Sequence, residues 1–245
     1  MIAYERRGDG PPLILLHGLG SRRQAWAPVV PEVSRHREVI GLTLPGPGTV
    51  GEFADRVAGF LQEHGIDRPE VAGNSLGGGI ALELARRGLV SAVTAFSPIG
   101  FWRTPGRLWC QSAVTAARGG AIALRPLLPR LLDTRPGRSV LCGLFFGDPV
   151  RVAPRTCLED ARALSAWPGF VTTRNAMGRW HPPALDGLPV TIAWGTRDAI
   201  LPYRTQARRA RDLLPGARHV ALDGCGHVPF PDDPRRCAEL LTVRQ

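Results

Sequence analysis

Apolar residues in this chain fall in short unbroken runs, separated by stretches in which they recur at helical spacing. Leu13 to Leu16, Val39 to Leu42, Val71 to Ala72, Ala92 to Phe96, Val190 to Trp194 and Ala217 to Ala221 read as strands, most of them apolar on both faces. Between them, Gln24 to Ser34 reads as a short helix. Val50 to His64 reads as a longer one, with Val50, Phe53, Ala54, Val57, Phe60 and Leu61 on one side. Leu76 to Arg87 is helical and stops at Gly88; Arg204 to Leu214 and Pro234 to Leu241 follow the same pattern. Strands alternating with helices predict an α/β fold, a mostly parallel central sheet with helices on both faces.

The alternation breaks after Ser97 and Pro98. Residues 101–186 are rich in proline, arginine and tryptophan and show helical patches without strand alternation. Leu124, Leu127, Leu128, Leu131 and Leu132 form one apolar set, and Val140 to Phe146 another. This predicts a helical cap or lid (101–186) inserted into a core made of residues 1–100 and 187–245. The cap is also where charge concentrates: residues 101–185 hold 12 arginines against Asp133, Asp148, Glu159 and Asp160. Most of these arginines are read as a solvated surface, and one or two facing inward would suffice to clamp an anionic substrate.

Composition narrows the class. At 245 residues and 44% hydrophobic content the chain can build a sizeable core. No run approaches the roughly 18 apolar residues of a membrane span, and the N-terminus lacks the shape of a signal peptide. The five cysteines are scattered without metal-ligand spacing, so a reduced, cytoplasmic protein without a metal is expected. The net charge of +10 would ordinarily suggest nucleic acid. Here every basic residue is arginine and none is lysine, which points to compositional bias; no nucleic-acid-binding motif accompanies the charge. A small-molecule substrate is the expected partner, and a homodimer is compatible with the sequence.

The chemistry centres on Gly73-Asn74-Ser75-Leu76-Gly77, a Gly-x-Ser-x-Gly turn between a strand and a helix. Such a turn lifts a serine hydroxyl clear of the backbone, and its tightness leaves no room for side chains at Gly73 and Gly77. A serine hydroxyl is a weak nucleophile and needs a base, usually a histidine oriented by a carboxylate. Groups beyond the carboxyl ends of parallel strands converge, so the acid is sought after a late strand and the histidine after the last. Asp198 lies four residues beyond Trp194, and His227 follows the final strand.

These pieces resemble the α/β-hydrolase family over residues 1–100 and 187–245: His17-Gly18, Leu42 to Gly46, the Gly73–Gly77 turn, Gly195 to Asp198 and Gly226-His227. The resemblance implies that Ser75 is the nucleophile, His227 the base and Asp198 its orienting acid. It implies an oxyanion hole made by the backbone N–H groups of Leu19 and Leu76, with His17 and Gly18 in supporting roles and no cofactor. Trp102, Phe145, His181 and Val228 are expected to line the pocket. His36 and His64 are read as solvated, His219 as a strand residue and Cys225 as a small packed side chain. Thr43 and Pro47 depart from the aspartate and the Gly-His-Gly common around this turn, which affects the rim of the pocket and not the chemistry.

Serine at position 75 argues against the dehalogenases and epoxide hydrolases of this family, which carry aspartate there. Tyr4 and Tyr203 lie outside the insertion, and the lack of lysine argues against hydroxynitrile lyases. What remains is cleavage of a carboxylic ester, lactone or thioester of a small to medium apolar substrate. Hydrolysis of a carbon–carbon bond in a diketone-like substrate is the nearest alternative. The cap arginines favour it, and Val228 after the histidine, where such enzymes carry tryptophan, counts against it. An acyltransferase or biosynthetic cyclase reusing the same residues ranks next, and a non-catalytic binding protein last.

Overall fold

The computed structural model describes residues 2–185 and 187–242. Asp186, the expected end of the insertion, lies outside the described residues, as do Met1 and residues 243–245. Seven strands form one sheet: β1 (Ala3–Arg7), β2 (Pro12–Leu16), β3 (Glu38–Thr43), β4 (Glu70–Asn74), β5 (Ala92–Phe96), β6 (Val190–Gly195) and β7 (Arg218–Leu222). Their spatial order is β1-β3-β2-β4-β5-β6-β7. Only the β1–β3 pair is antiparallel.

The continuous apolar character of β2 follows from its place in the middle of this sheet. Ile14 and Leu16 enter a core shared with α2 (Val50–Glu63) and α3 (Leu76–Arg86). Leu13 and Leu15 point the other way, into a core with Trp26, Val33, Phe230 and the last helix, Pro234–Thr242. Both faces are covered, so every side chain of the strand body is buried. Full burial of one such side chain is worth about 1.5–3 kcal/mol.

Two elements differ from expectation. β1 is an added edge strand, exposed at every residue, with no apolar face to betray it. The single helix expected over 24–34 is instead a 3₁₀ turn (Arg23–Trp26) and one helical turn, α1 (Val30–Val33). Pro28 lies between them and has no N–H to donate to a continuing helix, although Ala27 before it keeps helical backbone angles (φ −51°, ψ −35°).

Between β5 and β6 the described chain forms α4 (Thr104–Ala123), α5 (Leu128–Asp133), α6 (Arg135–Cys142), α7 (Pro154–Ala166) and α8 (Phe170–Met177). α5, α6, α7 and the loop before α7 share a small apolar cluster of Leu128, Leu132, Cys142, Phe146, Val152 and Cys157. Cys110 and Val114 of α4 and Phe170 and Met177 of α8 join the main core, as do Phe101 and Trp102 inside the expected insertion boundary. The chain returns through β6, α9 (Tyr203–Leu213), β7 and α10 (Pro234–Thr242). No helix among the described residues is long and apolar enough to cross a membrane.

Candidate active site

Ser75 directly follows β4 and precedes α3, at φ 56° and ψ −115°. A residue with a side chain is strained there, and such strain concentrates at functional sites. Ser75 is held by its own N–H, which donates to Phe96 O (2.9 Å), and by its carbonyl, which accepts from Gly79 (3.1 Å) and Ile99 (3.2 Å). The turn closes only because two glycines flank it. A Cβ on Gly73 would come within 2.1 Å of Gly77 O, and one on Gly77 within 2.2 Å of Leu16 O. From Val71 to Ala85, Ser75 is the one residue that is not buried.

Asp198 and His227 come from the loops after β6 and β7, at the same edge of the sheet. Both are nearly fully buried. His227 Nδ1–H donates to Asp198 Oδ2 at 2.8 Å. Asp198 Oδ1 accepts from the N–H groups of Ile200 (2.9 Å) and Leu201 (2.8 Å), which fixes the carboxylate plane. With its proton on Nδ1, His227 carries a lone pair on Nε2.

The loop bearing His227 is pinned in part by two residues, Asp232 and Asn74, to which the sequence reading gave no role. Asp232 accepts from the N–H groups of Gly226 (2.8 Å), Gly147 (2.8 Å) and Asp148 (3.0 Å). Val228 N–H donates to Phe145 O at 2.9 Å. Asn74, buried beside the serine, donates to the carbonyls of His227 (3.0 Å) and Phe96 (3.1 Å). A clue was present for each: an acid a few residues after the histidine, and an amide inside the serine turn. Apart from Gly226, six residues before Asp232, their partners lie far away in the chain.

Ser75 and His227 line one cavity of about 300 Å³. Gly18 and Leu19 form its edge beside the serine, and a Cβ on Gly18 would lie 3.2 Å from Ser75 Cβ. Leu76, in the first turn of α3, has an N–H without an intrahelical partner. The remaining wall is mostly apolar and comes from the insertion, including Val114, Leu132, Phe145, Leu164 and Met177. Phe145 and Val228 line it too. Trp102 and His181 do not. Trp102 packs into the core below the start of α4 and lines a separate surface hollow with Trp109 and Arg204. His181 is exposed. No arginine among the described residues lines this cavity. The buried insertion arginine, Arg138, instead caps the carbonyls of Leu132, Asp133 and Val150.

The other histidines and Cys225 have structural surroundings. His36 is exposed; His64 is half-buried and stacks on Phe60; His219 meets Leu214 O. Burial pushes the Cys225 thiol up to about 12. His17 Nε2 accepts Leu44 N–H at 3.0 Å, and its Nδ1 donates to Gly18 O at 2.8 Å, so the ring bridges two loops in its neutral form. Burial pushes this imidazole down to about 4, against the pull of the Gly18 carbonyl. An unfolded chain takes up that proton near 6.5, so the stability gained from a neutral His17 is complete above that pH. It is lost as pH falls towards 4, where the folded ring also protonates. Between neutral pH and the lower end of that window, wild type is expected to lose on the order of 2 kcal/mol more than His17→Gln in urea titrations. Equal losses in the two proteins would exclude this assignment.

The sequence matches the alpha/beta hydrolase family over residues 13–240. The chain belongs to this family. Among curated relatives, it is 30% identical to epoxide hydrolase EphH of Mycobacterium tuberculosis, over 78% of this chain and 92% of that protein. It is also 30% identical to a pimeloyl-[acyl-carrier protein] methyl ester esterase of Aromatoleum aromaticum, over 94% and 96%. Among solved structures, a thermophilic esterase from Thermogutta terrifontis superposes with a TM-score of 0.75 at 22% identity, over 98% of this chain and 91% of that one. That likeness speaks to the fold alone. Membership of the family and its hydrolase relatives point to hydrolysis.

Proposed function

We propose that this α/β-hydrolase is a serine hydrolase that cleaves a carboxylic ester, lactone or thioester of a small to medium apolar substrate through an acyl-enzyme. The observation that carries this reading is the shared cavity: Ser75 on a strained turn, with a His227 whose Nδ1 is held by Asp198. His227 takes the serine proton as Oγ attacks the carbonyl, returns it to the leaving group, then activates water for deacylation. The N–H groups of Leu19 and Leu76 stabilise the oxyanion, each worth about 3 kcal/mol in such sites. Residues 101–186 act as the cap that excludes water and shapes the acyl pocket. No cofactor takes part in these steps.

Individual residues favour ester cleavage over the neighbouring chemistries. Position 75 is serine, and neither tyrosine, Tyr4 or Tyr203, lines the cavity, so this chain lacks the groups expected of an epoxide hydrolase. The cap arginine that would hold a substrate carboxylate in carbon–carbon hydrolysis is missing from the described cavity wall. The ester named for the Aromatoleum relative agrees with acyl transfer.

Cavity size sets the test. A cavity of about 150 Å³ holds benzene, so twice that volume accommodates on the order of a dozen heavy atoms. In a p-nitrophenyl ester series from acetate to decanoate, kcat/KM is expected to peak at about four to eight carbons. A fluorophosphonate probe should label Ser75, located by peptide mass spectrometry. Folded protein that neither turns over any ester nor takes the label would overturn the reading.

A further inference from the structure

Among the described residues, one acidic side chain of the insertion lines the otherwise apolar part of the catalytic cavity: Asp160 on α7. Around it the wall is Leu128, Leu132, Cys157, Ala161 and Leu164. A carboxylate facing such a surface is costly unless it finds donors. Arg22 supplies only a long contact, Nε to Oδ1 at 3.3 Å, and gives its shorter bond to Glu159 (Nη2 to Oε2, 2.7 Å). Glu159 is held a second time by Arg155 at 2.8 Å. The tie between α7 and the loop after β2 therefore runs mainly through Glu159. No hydrogen bond among the described residues reaches Asp160 Oδ2. The side chain keeps 27% exposure, and the burial of the rest pushes its carboxyl up to about 6, against the attraction of Arg22.

We propose that Asp160 is a recognition point for substrate: its Oδ2 accepts a hydrogen bond from a hydroxyl or amide N–H carried on the chain of the ester whose carbonyl sits at Ser75. This rests on the hydrolase reading above and narrows it to esters, lactones or thioesters that are apolar along the chain and bear one donor. An all-hydrocarbon acyl group leaves the carboxylate without that bond. A substrate carboxylate is repelled by it.

The test compares p-nitrophenyl hexanoate, heptanoate and octanoate with their ω-hydroxy counterparts at mildly alkaline pH, where the carboxylate is charged. Wild type is expected to prefer at least one ω-hydroxy ester over its parent by about tenfold in kcat/KM, the yield of one hydrogen bond to a charged acceptor. In Asp160→Leu that ratio is expected to fall to one or below, because the hydroxyl then enters an apolar wall. Asp160→Asn keeps a carbonyl acceptor and should retain part of the preference. If Asp160 served only to hold α7 through Arg22, both members of each pair would fall together and the ratio would survive; a ratio unchanged in Asp160→Leu overturns the proposal. A second readout is independent of turnover. Calorimetry on Ser75→Ala protein compares N-methylhexanamide with its ω-hydroxy analogue. About tenfold tighter binding of the hydroxy amide, lost when Asp160→Leu is added, supports the proposal even if ester hydrolysis fails. Equal affinities reject it.

Discussion

Ser75→Ala is expected to lower kcat for the best p-nitrophenyl ester by at least about 10⁴-fold, because the proposed acyl-enzyme forms on its Oγ. The protein should remain folded. The local geometry is held by backbone, with Ser75 N–H on Phe96 O and the Ser75 carbonyl shared by Gly79 and Ile99, and alanine keeps all of it. Removing Oγ leaves no described partner without a bond, so thermal unfolding should shift by little. The asymmetry is informative. A structural serine would show the reverse pattern, with a stability loss and modest change in rate. An alanine variant within tenfold of wild type would remove Ser75 from the reaction and leave the strained turn unexplained.

Much of this was legible in the sequence, for a physical reason. A parallel strand covered on both faces is near-continuously apolar, so β2 appears as an unbroken run and β5 and β6 as runs interrupted only by Thr94 and Thr191. β1 has no such signature. It pairs with β3 through backbone and one exposed ion pair, Arg6 with Glu38, and exposes all its side chains, so no apolar face marks it in the sequence. The proposed reacting groups could be picked out because the sheet converts strand ends into a common edge: Ser75, Asp198 and His227 each follow a parallel strand closely. The pocket was not. Whether an insertion residue faces inward depends on how five helices settle on the core, and local pattern does not specify this. Thus Phe145 and Trp102 looked alike in sequence, and one reached the cavity while the other was drawn under α9, where Arg209 binds Phe101 O. The residues that hold the histidine loop were hidden for a similar reason. Asn74 and Asp232 bond to backbone groups brought near only by folding.

Asp198→Asn is expected to reduce kcat by about 10⁴-fold at neutral pH while leaving the fold in place. The two carboxylate oxygens have separate duties, and the substitution separates them. Oδ1 accepts the N–H groups of Ile200 and Leu201, and the amide oxygen of asparagine can do the same. Oδ2 accepts the proton of His227 Nδ1, and there the asparagine presents an NH₂ donor instead. A donor facing Nδ1 drives the imidazole proton to Nε2, the nitrogen that must receive the serine proton, so the base is blocked by its own tautomer. The charge that stabilises imidazolium in the transition state is lost as well. Asp198→Ala should differ in kind: it strands two buried backbone donors, at about 1–3 kcal/mol each, so it should lower the unfolding midpoint as well as the rate. Activity in Asp198→Asn within tenfold of wild type, in protein with an unchanged midpoint, would show that His227 is oriented by something other than this carboxylate.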